Sequence, residues 1–228
     1  MEDDPDVHAR ESQQFYNIVS KTGYNHTLSS FESPLPDNCA RLTGFPTQQD
    51  PALPVGPAKM LVVKKNDRLK LEAYARYLSL NSSASVVQNF SGLVASAFGG
   101  VSVIGEQAVG AINSNVPGAS AAVFRNSGAP KAYLFYIIFS NSYAVLQSGY
   151  AAVDNTALNG QQLLSLDFTV PADGYLFTYL ANETDVDNTT TYFDDFKITH
   201  FKSTNALRVT EVSDYDPYGF RLEGTGYI

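Results

Sequence analysis

The sequence predicts an all-β fold, a sandwich of two sheets with a short helical insertion. Three observations predict it. Leu69 to Tyr77 alternates strictly, with Leu69, Leu71, Ala73, Ala75 and Tyr77 on one side and Lys70, Glu72, Tyr74 and Arg76 on the other. That period of two sets one face of a strand on a core and the other in water. Ala132 to Phe139 is continuously apolar, as in a strand buried on both faces. Only the stretch from about 83 to 116 shows helical spacing.

The elements follow in chain order. The acidic opening, residues 1–12, predicts a flexible lead. A sandwich domain is expected over 13–204, and a separate tail over 205–228. Gln14 to Val19 predicts a first strand, and Cys39 to Leu42 a short one inside a proline-rich stretch, Ser33 to Pro57, that reads as irregular loop. Asn66-Asp67 is a turn signal ahead of the alternating strand. Val87, Phe90, Val94 and Ala97, then Val101, Ile104, Ala108 and Ala111 beyond Gly99-Gly100, predict two short helices. These are expected to pack on the sandwich itself; the alternative is contact with a partner. After Ala132 to Phe139, Leu164, Leu166, Phe168 and Val170 alternate with polar residues. Pro171-Ala172-Asp173-Gly174 predicts a turn, with Pro presetting φ and Gly permitting a positive φ. Tyr175 to Leu180, Tyr192 to Phe201 and Leu207 to Val212 predict the remaining strands. Phe135, Ile137, Phe168, Phe196 and Ile198 are the expected core. Strands at this spacing predict a jelly-roll sandwich.

Composition narrows the function. The chain has 228 residues, 44% apolar, enough for a sizeable core. Its net charge of −8 disfavours nucleic acid as a partner, because the phosphate backbone is held by clustered Lys and Arg. No stretch has the roughly 18 apolar residues of a membrane span. The opening MEDDPDVHARESQQF is no signal peptide. The single cysteine, Cys39, has no internal disulfide partner and is expected to be a buried thiol. The histidines, His8, His26 and His200, lie in no catalytic motif, and Gly92 to Gly110 lacks a phosphate-binding fingerprint. Adjacent carboxylates such as Asp194-Asp195 face opposite sides of a strand, so they cannot form a glycosidase pair. No enzyme is expected.

Several segments together resemble a known module. LKLEAYARY, APKAYLFYIIF, VPADGYLFTYLAN and YFDDFKITH, in this order, resemble the galactose-binding-like jelly-roll module of long RHS/YD-repeat proteins of Bacteroidetes. ESQQFYNI and ARLTG resemble its N-terminal part. SDYDPYG followed by FRLEG, within Ser213 to Gly224, resembles the start of the RHS repeat-associated core. The resemblance implies an accessory module of a secreted or surface-displayed protein, partnered by the rest of that protein and continuing into repeats beyond Ile228. It also implies a structural calcium, held by an Asp on the last strand.

Asp194 is the residue in that place. Alternation puts Tyr192, Asp194, Phe196 and Ile198 on one face and Phe193, Asp195, Lys197 and Thr199 on the other. If the first face is core, Asp194 is an inward carboxylate that must be paired, hydrogen-bonded or metal-bound. Calcium takes six to eight oxygens, and Glu11, Glu32 and Asp37 are the candidate further ligands. The alternative is that Asp194 accepts ordinary hydrogen bonds. Asp185-Val186-Asp187-Asn188 alternates acids but lacks the Gly and distal Glu of a helix-loop-helix calcium site, so a solvated turn is expected. The five Asn-X-Ser/Thr matches, at Asn25, Asn81, Asn89, Asn182 and Asn188, read as polar turns. Sugar sites stack rings on exposed aromatics; this chain has no Trp but 14 Tyr, and Tyr74, Tyr150 and Tyr218 are candidates. The first expectation is therefore a non-enzymatic structural or interaction module of a large RHS-type surface or toxin-delivery protein. The alternative is a carbohydrate-binding module with a glycan partner.

Overall fold

The computed structural model describes residues 15–16, 24–25, 39–44, 46, 52–80, 90–98, 106–115, 129–185 and 189–203. The expected strand at Leu207 to Val212 and the acidic lead lie outside them. Two antiparallel sheets stack face to face. The strands are β1 (Tyr24–Asn25), β2 (Cys39–Leu42), β3 (Val55–Val63), β4 (Arg68–Tyr77), β5 (Ala132–Ser140), β6 (Val145–Ala152), β7 (Gln162–Thr169), β8 (Gly174–Asn182) and β9 (Thr191–Phe201). One sheet has the order β1-β2-β9-β4-β7, the other β3-β8-β5-β6. From β2 onward the chain passes repeatedly between the sheets, with only the β5–β6 hairpin formed within one of them. This is the expected sandwich.

The inner faces form one core. Leu69, Leu71, Ala73, Ala75 and Tyr77 of β4 meet Leu134, Tyr136 and Ile138 of β5. Tyr136 stacks on Phe168 of β7 with ring centroids 3.8 Å apart. The expected core residues are all buried, with Phe168 the most exposed at 9%.

A second apolar layer lies outside the four-stranded sheet. Two helices, α1 (Phe90–Ala97) and α2 (Glu106–Asn115), put Phe90, Val94, Ala97, Ala108 and Ile112 into one cluster with Tyr133, Phe135, Ile137 and Phe139 of β5. The helices pack on the sandwich, as expected, and β5 is apolar throughout because both of its faces are covered.

Three strands go beyond the sequence expectation: the two-residue β1, β3 and β6. The stretch expected to be irregular loop, Ser33 to Pro57, overlaps the start of β3, which runs on through Pro57. β3 lies at the edge of its sheet, and its pairing with β8 shifts register between Val55 and Ala58. An edge strand with a bulge is where a residue lacking an N–H fits. At Ala58 the outer side of β3 is bonded to Tyr16, with Tyr16 N–H donating to the Ala58 carbonyl at 2.7 Å and Ala58 N–H returning at 3.0 Å. Of the strand expected at Gln14 to Val19, only Phe15 and Tyr16 are described. β6, the other edge, is short of large apolar residues and gives no clear alternation.

The corners are tied by side chains. Asp173 accepts the Lys65 N–H at 2.8 Å and the Lys64 ammonium at 3.1 Å, joining the β7–β8 and β3–β4 turns. The Pro171–Gly174 turn is present, but Gly174 serves a different purpose from the expected positive φ. A Cβ there would stand 1.8 Å from the Phe139 carbonyl oxygen, so close backbone approach excludes any side chain.

Candidate functional site

The five-stranded sheet turns its outward face away from the core and from both helices. β4 puts Lys70, Glu72, Tyr74 and Arg76 on that face. Across from them on β9 stand Lys197 opposite Glu72, Asp194 opposite Tyr74 and Tyr192 opposite Arg76. Arg41 of β2 lies on the far side of Tyr192, and Leu163 of β7 beyond Tyr74. One row across three strands therefore reads Arg41, Tyr192, Arg76. A neighbouring row holds Asp194, Tyr74 and Leu163.

This corrects the facing of Asp194. Strict alternation assigned Tyr192 and Asp194 to the core with Phe196 and Ile198. The pairing of β9 with β4 shifts between Glu72 and Tyr74, so that Asp195 and Phe196 together oppose Ala73. Asp195 takes a φ of 49°, in the left-handed region that Asp tolerates better than most residues. Such a bulge inserts one residue and resets the alternation. Phe196 and Ile198 remain inward, Phe193 joins the core at 1% exposure, and Tyr192 and Asp194 turn outward.

Asp194 is nonetheless only 6% exposed. Its Oδ1 accepts the Asp195 N–H at 2.8 Å, the kind of ordinary hydrogen bond weighed as the alternative to calcium. Glu11, Glu32 and Asp37 lie outside the described residues. Among the described residues, no three His, Cys, Asp or Glu side chains converge as metal ligands would. Val186, Asp187 and Asn188 of the acidic loop also lie outside them.

Tyr192, Tyr74, Arg41 and Arg76 are half-buried. Burial pushes the Tyr192 phenol above its usual range, with Arg41 and Arg76 pulling the other way less strongly. The phenol therefore stays protonated and can donate. Arg41 hydrogen-bonds to it. The Arg76 Nε is buried and has no hydrogen-bond partner, which leaves a strong donor unsatisfied. Farther along the sheet the charges are paired: Arg68 binds Asp167 through two bonds of 2.9 and 2.6 Å, and Lys70 lies 2.5 Å from Glu72. Of the other tyrosines singled out by sequence, Tyr150 is on β6 of the opposite sheet and Tyr218 is outside the described residues.

His8 and His26 also lie outside the described residues. His200 places its Nε2 2.7 Å from Asp67 Oδ2, a partnership the sequence did not suggest. Ser203 is close by, but its hydroxyl donates to the Lys65 carbonyl at 2.8 Å and its N–H to Asp67 at 2.7 Å. These residue types recur in hydrolase triads, yet here the serine bonds to backbone and to the acid. Asp67 fixes a corner: it binds the β3–β4 turn through the Lys64 N–H at 2.9 Å and the end of β9 through His200 and Ser203.

No helix among the described residues is long and apolar enough to cross a membrane. No family model matches the chain, and no curated protein matches it. Several solved structures are similar to it. The CBM22-1–GH10 modules of the Clostridium thermocellum endo-1,4-beta-D-xylanase 10B, complexed with xylohexaose, share 7% identity at a TM-score of 0.40, over 87% of this chain and 30% of that one. The CBM22-1 xylan-binding domain from Paenibacillus barcinonensis Xyn10C shares 13% at 0.38, over 85% and 89%. The CBM22-1–CBM22-2 tandem domain of the same Xyn10C shares 12% at 0.31, over 72% and 43%. The chain thus spans under a third of the first of these and under half of the last. The sandwich architecture of the chain rests on its own strand pairing.

Proposed function

We propose that this chain is a non-enzymatic glycan-binding module, and that the outward face of its five-stranded sheet is the binding surface. The observation that carries this is the patch of Tyr74, Tyr192, Arg41, Arg76 and Asp194 on a sheet face that neither helix covers. Tyrosine offers an apolar ring face and a polar tip. Arginine offers a planar fork of donors, and a carboxylate accepts. A sugar ring presents both C–H faces and hydroxyls, so it calls for this mixture. Rigid strands hold the groups in place, which lowers the cost of ordering them on binding.

The sandwich fold alone does not license this reading; the patch does. The parent context, a larger secreted or surface protein of the RHS type, belongs to the same proposal and rests on the ordered segments quoted above. The segment SDYDPYG lies outside the described residues.

A glycan array of the whole chain tests the reading. Specific binding that is lost in Tyr192→Ala and Tyr74→Ala, with melting temperatures near wild type, is expected. Absence of specific binding by the wild-type chain overturns it and leaves the structural or interaction role.

A further inference from the structure

The row Arg41–Tyr192–Arg76 says more than that the face is polar. Both residues opposite Tyr192, one on each neighbouring strand, are arginines. Strands lie about 4.8 Å apart, which sets the two arginine Cα positions about 10 Å apart. That span admits a sugar ring lying over Tyr192 with a guanidinium reaching in from either side.

Among the described residues, the row itself carries cations although the molecule is acidic. The chain carries −8 overall. Among the described residues of the two rows at Tyr192, two guanidiniums stand with one carboxylate, Asp194, which accepts the Asp195 N–H. Farther along the face, Arg68 and Lys70 lie against Asp167 and Glu72, and Lys197 stands opposite Glu72. Arg76 keeps a buried Nε without a hydrogen-bond partner. A guanidinium fork matches a planar, two-oxygen anion bidentately.

We infer that this row binds an acidic saccharide, one whose sugar units carry uronate carboxylates. The carboxylate would bond to the Arg76 fork, the ring would lie on Tyr192, and Arg41 would hold the phenol in place while facing the next unit. This rests on the glycan reading above and names the class of sugar. Bulk charge does not favour such a ligand, because a chain of net −8 repels a polyanion at long range. Retention of an acidic polymer would therefore report a local site.

The test is affinity electrophoresis of the whole chain in gels containing polygalacturonate, the same polymer after carboxyl reduction to a neutral galactan, or dextran sulfate. Polygalacturonate is expected to retard the wild-type chain at least tenfold more strongly than the reduced polymer. Arg76→Gln should lose about tenfold in affinity for the acid polymer, Arg76→Lys less, and the loss of each on the reduced polymer should be clearly smaller than on the acid polymer. Arg41→Gln provides a second variant should Arg76→Gln fail to fold, as judged by its thermal melt. Equal retardation by the acid and reduced polymers overturns the acidic-sugar inference and leaves the glycan reading standing. Retardation by none of the polymers, together with an empty glycan array, overturns both. Dextran sulfate binding as tightly as polygalacturonate, with no loss in Tyr192→Ala, marks unselective attraction of polyanions and also overturns the inference.

Discussion

The two sheets present outward faces of opposite character. The four-stranded sheet puts Tyr133, Phe135, Phe139 and Phe177 outward, and the helices cover them. The five-stranded sheet puts lysine, arginine, tyrosine and carboxylate outward, and neither helix covers them. The same backbone geometry serves both; the residues at alternate positions decide which face is finished with a layer of helix and which keeps polar side chains. The covered face also holds a buried polar pair, Tyr133 donating to the Glu183 carboxylate, with Glu183 2% exposed. Burial, with Tyr179 and Glu183 adding to it, pushes the Tyr133 phenol well above its usual range. That phenol remains a donor.

The largest expected effect lies on the covered face. Phe135→Ala should cost about 3–5 kcal/mol in denaturant melts, because a large ring is lost between sheet and helix and a cavity remains. Phe168→Ala, between the sheets, should cost a similar amount. A Phe135→Ala loss below about 1 kcal/mol would mean that the helices do not seal that face. Next comes Tyr133→Phe, which removes a hydrogen bond to a buried carboxylate and should cost about 1.5–3 kcal/mol. A neutral result would show that other groups satisfy Glu183 unaided.

Asp67 gives the comparison a pH dependence. Burial works to raise its pKa, but hydrogen bonds from Ser203, His200 and Lys64 together outweigh it and the pKa falls below the usual carboxylate value. A carboxyl with a lowered folded pKa stabilises the fold above the unfolded value, about 3.9, and that contribution disappears as pH falls through the folded value. The stability gap between wild type and Asp67→Asn should therefore be full at pH 6 and shrink below about pH 4. A gap that stays constant down to pH 2.5 would remove the charge from the explanation.

The bulge sharpens the account of the outward face of the five-stranded sheet. Asp195→Val places a β-branched residue at a positive φ and should cost about 1–2 kcal/mol, whereas Asp195→Gly should not destabilise. If valine is tolerated as well as glycine, residue 195 is not left-handed and Asp194 has been given the wrong face. The smallest effect is expected for Arg76→Gln, within about 0.5 kcal/mol in stability. On the proposed reading that change acts on ligand binding, and a large stability loss would recast Arg76 as part of the scaffold.

Much of the fold was legible in the residues. Leu69 to Tyr77 and Leu164 to Val170 alternate because each has one face on the core. Ala132 to Phe139 does not alternate because both of its faces are covered. Phe90, Val94 and Ala97 carry helical spacing because α1 lies with one side against the sheet. These patterns are local, and a local pattern survives in a linear string. The edge strands of the four-stranded sheet did not show: β3 carries Pro57, which an edge with a bulge tolerates, and β6 packs few large side chains.

The candidate site was half visible. Tyr74 and Arg76 are outward in the alternation of β4, and Cys39 to Leu42, which contains Arg41, reads as a strand. That Arg41, Tyr192 and Arg76 form one row could not be read, because cross-strand register joins residues more than a hundred positions apart. Asp194 shows the limit most sharply. Its sequence neighbours put it inward, and a single residue at a positive φ, set against Ala73 of another strand, turns it outward. Side-chain type and period determined which segments become strands and which sides they bury; only the packed sheets, through register and one bulge, decided which polar groups stand together.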